Sequence, residues 1–179
     1  MPYLLLKDVP RYECLQEASS RVPGADPSIC EVFLNILHTG DIVSQSEAEF
    51  LAHHGLNQAR LIVLVLLDGA ENGSLRSSEL AEHAKVSRAT ITGLLDTMEK
   101  AGLIARAADP HDRRAWNVKI TPKGETLLSK VQPLLMQWSQ GILSALSSTE
   151  RSQLVKLLHK TQKAFMATRS ASLNGAHLS

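Results

Sequence analysis

The chain has 179 residues, with 19 Lys and Arg against 18 Asp and Glu and a hydrophobic share of 44%. That length and balance admit one domain with a real core, or a core with dimerisation arms, and exclude a largely disordered chain. A net charge of +1 does not by itself indicate nucleic-acid binding, so any such reading rests on where the charge sits. Cys14 and Cys30 are too few and too unpatterned for a disulfide scaffold or a structural zinc site.

The apolar run Tyr3 to Leu6 is short and is followed, not preceded, by Lys7. Neither a signal peptide nor a membrane span is expected, and the protein is expected in the cytoplasm, at the nucleoid, with its thiols reduced. Tyr12 to Ser20 reads as an extra helix closed by Pro23, Gly24 and Pro27. From Ile29 to His53 the apolar residues Ile29, Phe33, Ile36, Leu37, Ile42, Val43, Phe50 and Leu51 mark one long helix, open to a kink at Gly40 and ended by Gly55. Asn57 caps the next helix, whose run Leu61 to Leu67 is apolar all round and is therefore expected to be buried. The turn Gly69 to Gly73 leads into a short strand at Ser74-Leu75. A helix capped by Ser77 follows, with a narrow apolar face of Leu80, Ala81 and Ala84.

Lys85 and Val86 form a tight turn and Ser87 caps a second helix. There Ile91, Leu94, Leu95 and Met98 recur on one buried face and Ala89, Thr92, Gly93 and Asp96 look outward. Small side chains on that face suit insertion into a groove. After Gly102 the period changes to that of a strand, with Trp116, Val118 and Ile120 alternating against Asn117 and Lys119. Between the two strands of this hairpin stand Asp112, Arg113 and Arg114. Helix, tight turn, helix, strand, charged turn, strand is the outline of a winged helix-turn-helix, whose second helix lies in the DNA major groove. From Lys85 to Lys123 eight basic residues stand against four acidic ones, so the basic charge gathers on this reader. Beyond it, Thr121 caps and Pro122 opens a long helix running to Leu146 and bent at Pro133. Ser147 and Glu150 form a capping box for a last helix with Leu154, Leu157, Leu158 and Phe165 inward.

The segment LRSSELAEHAKVSRATITGLLDTMEKAGLIARAADPHDRRAWNVKITPKGETLL resembles the MarR family of bacterial transcriptional regulators. Asp109, Asp112, Arg113 and Arg114 stand where the family's wing motif keeps acidic and basic residues, followed by Ile120-Thr121 and Lys123-Gly124. A weaker likeness runs from about Ile29 to Met166. Two positions depart: Arg76 replaces a frequent Ser or Thr, and Ala89 a common Pro, and neither removes a required chemical group.

The expected architecture is mainly α with a small β-wing: a winged helix-turn-helix DNA-binding domain at 56–121, a dimerisation helix at 29–55 and C-terminal dimerisation helices at 122–168. An N-terminal extension (1–28) and a flexible tail (169–179) complete the division. The terminal helices carry more apolar surface than one small winged domain covers, and the resemblance implies that a second copy covers it in a two-fold homodimer. Such a dimer reads a pseudo-palindromic operator in double-stranded DNA with half-sites about one helical turn apart. The resemblance also implies that Arg114 enters the minor groove and that Asp112 orients it; Arg113 is assigned to phosphate. On the recognition helix, Ser87 offers backbone donors to phosphate, Arg88 a guanine or phosphate contact and Thr92 a thymine methyl contact, within a DNA-facing set that also includes Ala89, Thr90 and Gly93.

No cofactor and no metal are expected. His53 and His54 are neighbours on a helix and point about 100° apart, while His38 and His111 lack ligands at metal spacing. Trp116 and Trp138 read as core or dimer packing. No nucleophile elbow, phosphate-cradling loop or paired-carboxylate site argues for an enzyme. Repression follows from the resemblance, as does release by a small, partly apolar effector, with His38, Asp41 and Arg60 as polar candidates beside Leu37, Leu61 and Leu135; Arg60 would pair with an anionic group. The urate-responsive branch keeps an acidic residue where this chain has Ile62, which argues against urate. Two alternatives stay open. One is redox sensing through Cys30, placed roughly where a peroxide-sensing branch keeps its cysteine but without neighbouring tyrosines, so that a buried inert thiol is the plainer reading; the other is a winged helix that binds protein instead of DNA.

Overall fold

The computed structural model describes residues 12–108 and 116–175. In chain order the elements are α1 (Tyr12–Ser19), α2 (Pro27–His53), α3 (Gln58–Asp68), β1 (Leu75–Arg76), α4 (Ser77–His83), α5 (Arg88–Lys100), β2 (Ile104–Ala108), β3 (Trp116–Ile120), α6 (Pro122–Leu143) and α7 (Ser148–Gly175). The three strands form one antiparallel sheet in the order β1-β3-β2. Its register sets Leu75 opposite Val118 and runs from Ile104 opposite Ile120 to Ala108 opposite Trp116. No single described helix is long and apolar enough to cross a membrane.

The chain divides into two compact units, Met1–Ser129 and Lys130–Ser179. The core of the first is built from one face of each element that bears on the reader: Leu51 of α2, Val63, Leu64 and Leu67 of α3, Leu80 of α4, Ile91, Leu95 and Met98 of α5, Ile104 of β2 and Val118 of β3, all but inaccessible. The two periods that the sequence displays, 3.6 along α5 and 2 along β3, thus converge on one interior. In the second unit almost every described side chain of α7 is exposed.

Local chemistry fixes the helix ends. Asp26 caps α2 by accepting from the Ser28 amide, Asn57 caps α3 through the Arg60 amide, and Ser87 caps α5 through the Thr90 amide. Thr121 Oγ accepts from the Gly124 amide and donates to the Gly102 carbonyl at 2.7 Å, which ties the start of α6 to the end of α5. Gly124 is required by that closeness: a Cβ there would overlap the Leu103 carbonyl oxygen and stand 2.8 Å from Ile120 Cγ1. At the α6–α7 connection Ser147 and Glu150 bond reciprocally, and Arg151 donates to the carbonyl of Leu146.

Several expectations are corrected. The first strand is Leu75–Arg76, and Arg76 is the N-cap of α4, not Ser77. A guanidinium has no acceptor, so the cap consists of the Glu79 carboxylate accepting from the Arg76 amide at 2.6 Å. Ser77 instead aims its hydroxyl at the Trp116 carbonyl. The run Leu61 to Leu67 is buried on one face only; Ile62 and Val65 are exposed, because elements pack on one side of α3 alone. α2 runs unbroken through Gly40, the one long helix expected. α6 ends at Leu143, short of Leu146, whereas α7 continues as helix to Gly175, beyond the expected boundary at 168. Leu154, Leu157, Leu158 and Phe165 are exposed within one protomer, not inward: the packing among the described residues leaves 38% to 54% of each accessible.

Candidate nucleic-acid interface

The turn between α4 and α5 is short because α4 ends in a Schellman motif. Lys85 takes a left-handed conformation (φ 53°), its amide bonds to the Glu82 carbonyl and the Val86 amide to the Ala81 carbonyl. Gly55 and Gly102 close α2 and α5 with the same bond pattern and positive φ. The chain then enters α5 at once through Ser87, whose Oγ accepts from the Thr90 amide at 3.1 Å and lies 2.7 Å from Thr90 Oγ1. That cap satisfies one amide of the first turn; the amides of Arg88 and Ala89 head the helix without intrahelical partners, as helix geometry dictates, and offer an anion site.

Ser87, Arg88, Ala89, Thr90, Thr92 and Gly93 are all exposed, opposite the buried Ile91, Leu95 and Met98. Thr92 donates its hydroxyl proton to the Arg88 carbonyl at 2.8 Å. What it presents outward is therefore a methyl group and acceptor lone pairs. A Cβ on Gly93 would meet nothing within 4 Å, so internal packing does not demand glycine there. The missing side chain leaves room on the outside of the helix.

Electrostatics on the reader differ from a simple count of charges. Arg106 on β2 donates from Nε and Nη2 to Glu99 Oε2, at 2.9 and 2.6 Å, and its Nη1 lies 2.7 Å from Asp96 Oδ1. Its guanidinium holds the Glu99 carboxyl below the usual glutamate range, and the two carboxylates raise the arginine in turn. Asp96 is thus an ion-pair partner and not a merely solvated acid, and Arg106 is not free charge. Lys123 is also engaged, donating to the Ala101 carbonyl at the C-terminus of α5 at 2.8 Å, where the helix dipole favours a cation. Lys85, Arg88, Lys100 and Lys119 remain exposed on the reader. The Arg106 cluster escaped the sequence reading because Glu99 and Asp96 lie seven and ten residues before Arg106, across a helix-to-strand turn, where no helical or strand period relates them to it.

Asp112, Arg113 and Arg114 lie outside the described residues, as does His111. His38, Asp41 and Arg60 are half-buried, and no hydrogen bond or ion pair among the described residues joins them. Cys30 is exposed, contrary to the expected buried thiol: it lies in the first turns of α2, on a side that the described residues leave open. Trp116 is exposed at the outer end of β3 and so is no core residue; Trp138 is half-buried. Among the described residues no three His, Cys, Asp or Glu side chains group as metal ligands would.

Comparison with known proteins places this geometry. The MarR family model matches residues 56–116, from the link between α2 and α3 to the start of β3. The transcriptional repressor MprA of Escherichia coli is 32% identical over 124 residues, 69% of this chain and 70% of that protein. The transcriptional repressor YetL of Bacillus subtilis is 28% identical over 153 residues, 86% and 92% of the two chains. Among solved structures, AbsC of Streptomyces coelicolor, a MarR family regulator, superposes with a TM-score of 0.70 at 22% identity, over 80% of this chain and 97% of that one. BpsR of Bordetella bronchiseptica, whose DNA binding is regulated by 6-hydroxynicotinic acid, superposes at 0.58 with 25% identity, over 72% and 98%. The fold is the winged helix of these regulators, and these relatives are regulators, not enzymes. The chain belongs to the MarR family and is a DNA-binding transcriptional regulator.

Proposed function

We propose that the protein is a homodimeric repressor that binds a pseudo-palindromic operator and is released by a small effector. One observation carries the DNA-reading part: α5 presents an outer face of small and polar side chains, with an open space at Gly93 that the chain's own packing does not need. On this reading Ser87 and the first-turn amides take a phosphate, Arg88 a base edge or phosphate, and the Thr92 methyl a thymine, with Ala89, Thr90 and Gly93 letting the helix approach the bases. Arg114 enters the minor groove, Asp112 orients it and Arg113 meets phosphate. The exposed apolar residues of α2, among them Ile29, Val32 and Leu37, and those of α7, among them Leu157 and Leu158, support a second copy as the cover. Repression is the activity in the names of MprA and YetL. Such a protein works in the cytoplasm, at the nucleoid.

Effector release draws support from BpsR, and in this chain the polar candidates are His38, Asp41 and Arg60. A ligand releases DNA only through its preference for the spacing of the two reading heads that does not fit the operator. Redox release through Cys30 is the second reading, favoured by the exposure of that thiol.

The test is a footprint of the purified protein on the region upstream of its own gene, repeated as a titration at rising salt. Protection of an inverted repeat, with affinity falling steeply as salt rises, is the expected result. Indifference to DNA at low salt would favour a protein-interaction module. Addition of an aromatic acid to the complex should weaken it equally in wild type and Cys30→Ser; release by peroxide that disappears in Cys30→Ser would replace the effector by the redox switch.

A further inference from the structure

β2 is an edge strand of the described sheet, paired on one side with β3 and on the other with no described strand. It carries the chain toward residues 109–115. Its inner end is fixed by the core through Ile104, but Ala105, Ala107 and Ala108 are exposed and too small to anchor it. Arg106 does so. Its guanidinium uses three nitrogens on two carboxylates, Glu99 and Asp96, one turn apart on α5, and its backbone amide donates to the other oxygen of Glu99 at 3.1 Å.

An exposed ion pair would deserve little weight. Here the arginine side chain is only 21% exposed, and both of its partners belong to the same rigid helix. A planar fork gripped at three points fixes orientation as well as distance, which a point charge does not. Because β2 and β3 pair along five residues, what orients β2 orients the hairpin.

We propose that Arg106 is a positioning residue for DNA binding: it sets the angle of the β2–β3 hairpin against α5, so that helix and hairpin engage one duplex together, and it touches no DNA itself. The proposal rests on the DNA-reading role given above. With the hairpin held, its groove contact follows that of the helix as an intramolecular event; with the hairpin loose, its ordering is charged to binding.

The experiment uses the full chain and an operator duplex, and compares wild type with Arg106→Gln, Arg106→Lys and the triple variant Arg106→Gln, Asp96→Asn, Glu99→Gln. Two quantities are read: operator affinity as a function of salt, and amide hydrogen exchange of β2 and β3 in the free protein. Arg106→Gln should bind about tenfold more weakly, as loss of a coupled contact does, with a shallower salt dependence because phosphate contacts of the hairpin are lost. Its hairpin amides should exchange faster while those of α5 are unchanged. Arg106→Lys should keep most of the defect, since an ammonium restores the charge without the fork. The triple variant should remain weak, since it removes the exposed carboxylates without restoring the anchor. Wild-type affinity in Arg106→Gln, full recovery in the triple variant, or unchanged hairpin exchange would each overturn the proposal, full recovery by showing that Arg106 only masks acidic charge. A wild type that binds no duplex at low salt would overturn the DNA reading and this proposal together, whereas a binding wild type with an equally binding Arg106→Gln overturns this one alone.

Discussion

α5 and α7 carry apolar stripes of the same helical spacing and meet opposite fates in one protomer. Ile91, Leu95 and Met98 of α5 are at most 1% exposed, whereas Leu154, Leu157, Leu158 and Phe165 of α7 are 38% to 54% exposed. A 3.6-residue period announces that a face will be buried; it does not say by what. For α5 the cover is supplied by neighbours close in sequence, α3, α4 and the hairpin. For α7 the described residues leave the stripe largely open, and on the dimer reading proposed above a second copy supplies the cover.

The comparison breaks most severely if α7 is removed. A chain ending at Ser147 should lose dimerisation and either unfold or aggregate, since the apolar face of α2, already open in one protomer, would have no second copy to cover it. Sedimentation and circular dichroism of the truncated protein check this. A soluble, folded monomer that still binds a full palindrome would contradict the dimer reading.

Next in size is Gly124→Ala. Gly124 is buried where α6 begins against Leu103 and Ile120, and a methyl group would collide with a backbone carbonyl that cannot turn aside. Overpacking of this kind costs roughly 1 to 3 kcal/mol, and the upper part of that range is expected because the obstacle is backbone. Chemical denaturation measures it. The loss would fall on the reader, showing that its own core and not the dimer holds it together; an unaltered midpoint would show that α6 shifts to make room.

Arg114→Ala separates function from fold. Operator affinity should fall by about 1 to 3 kcal/mol, the range of a specific groove contact, with the melting temperature and the dimer unchanged. Equal affinity in a fluorescence titration would remove Arg114 from the interface.

Much of this was legible in the sequence, for identifiable reasons. Ser87, Asn57 and the Ser147–Glu150 pair are caps whose partners lie three residues away, and the buried face of α5 follows from periodicity. What was not legible depends on contacts across turns or on the absence of contacts. Arg106 looks like any strand arginine until β2 folds back beside α5. Ile62 and Val65 look like core until the neighbours of α3 prove to lie on one side only. The Arg76 cap was missed because its acceptor is Glu79, three residues on, and not the capping residue's own side chain.

The smallest expected effect lies in the turn that makes the reader a helix-turn-helix. Lys85 occupies the left-handed position of a Schellman motif, where α2 and α5 place Gly55 and Gly102. An L side chain at that backbone conformation costs roughly 1 to 2 kcal/mol, partly offset by the greater freedom that glycine would bring to the unfolded chain. Lys85→Gly should therefore stabilise the protein by about 0.5 to 1 kcal/mol, seen as a higher denaturation midpoint with an unchanged slope. The same variant removes an exposed cation next to the N-terminus of the recognition helix, so operator affinity at low salt should fall slightly while stability rises. Opposite signs in the two measurements would mean that this turn accepts backbone strain in exchange for a positive charge facing DNA; a loss of stability would mean that the stem of Lys85 packs against the turn, and that the strain is repaid locally.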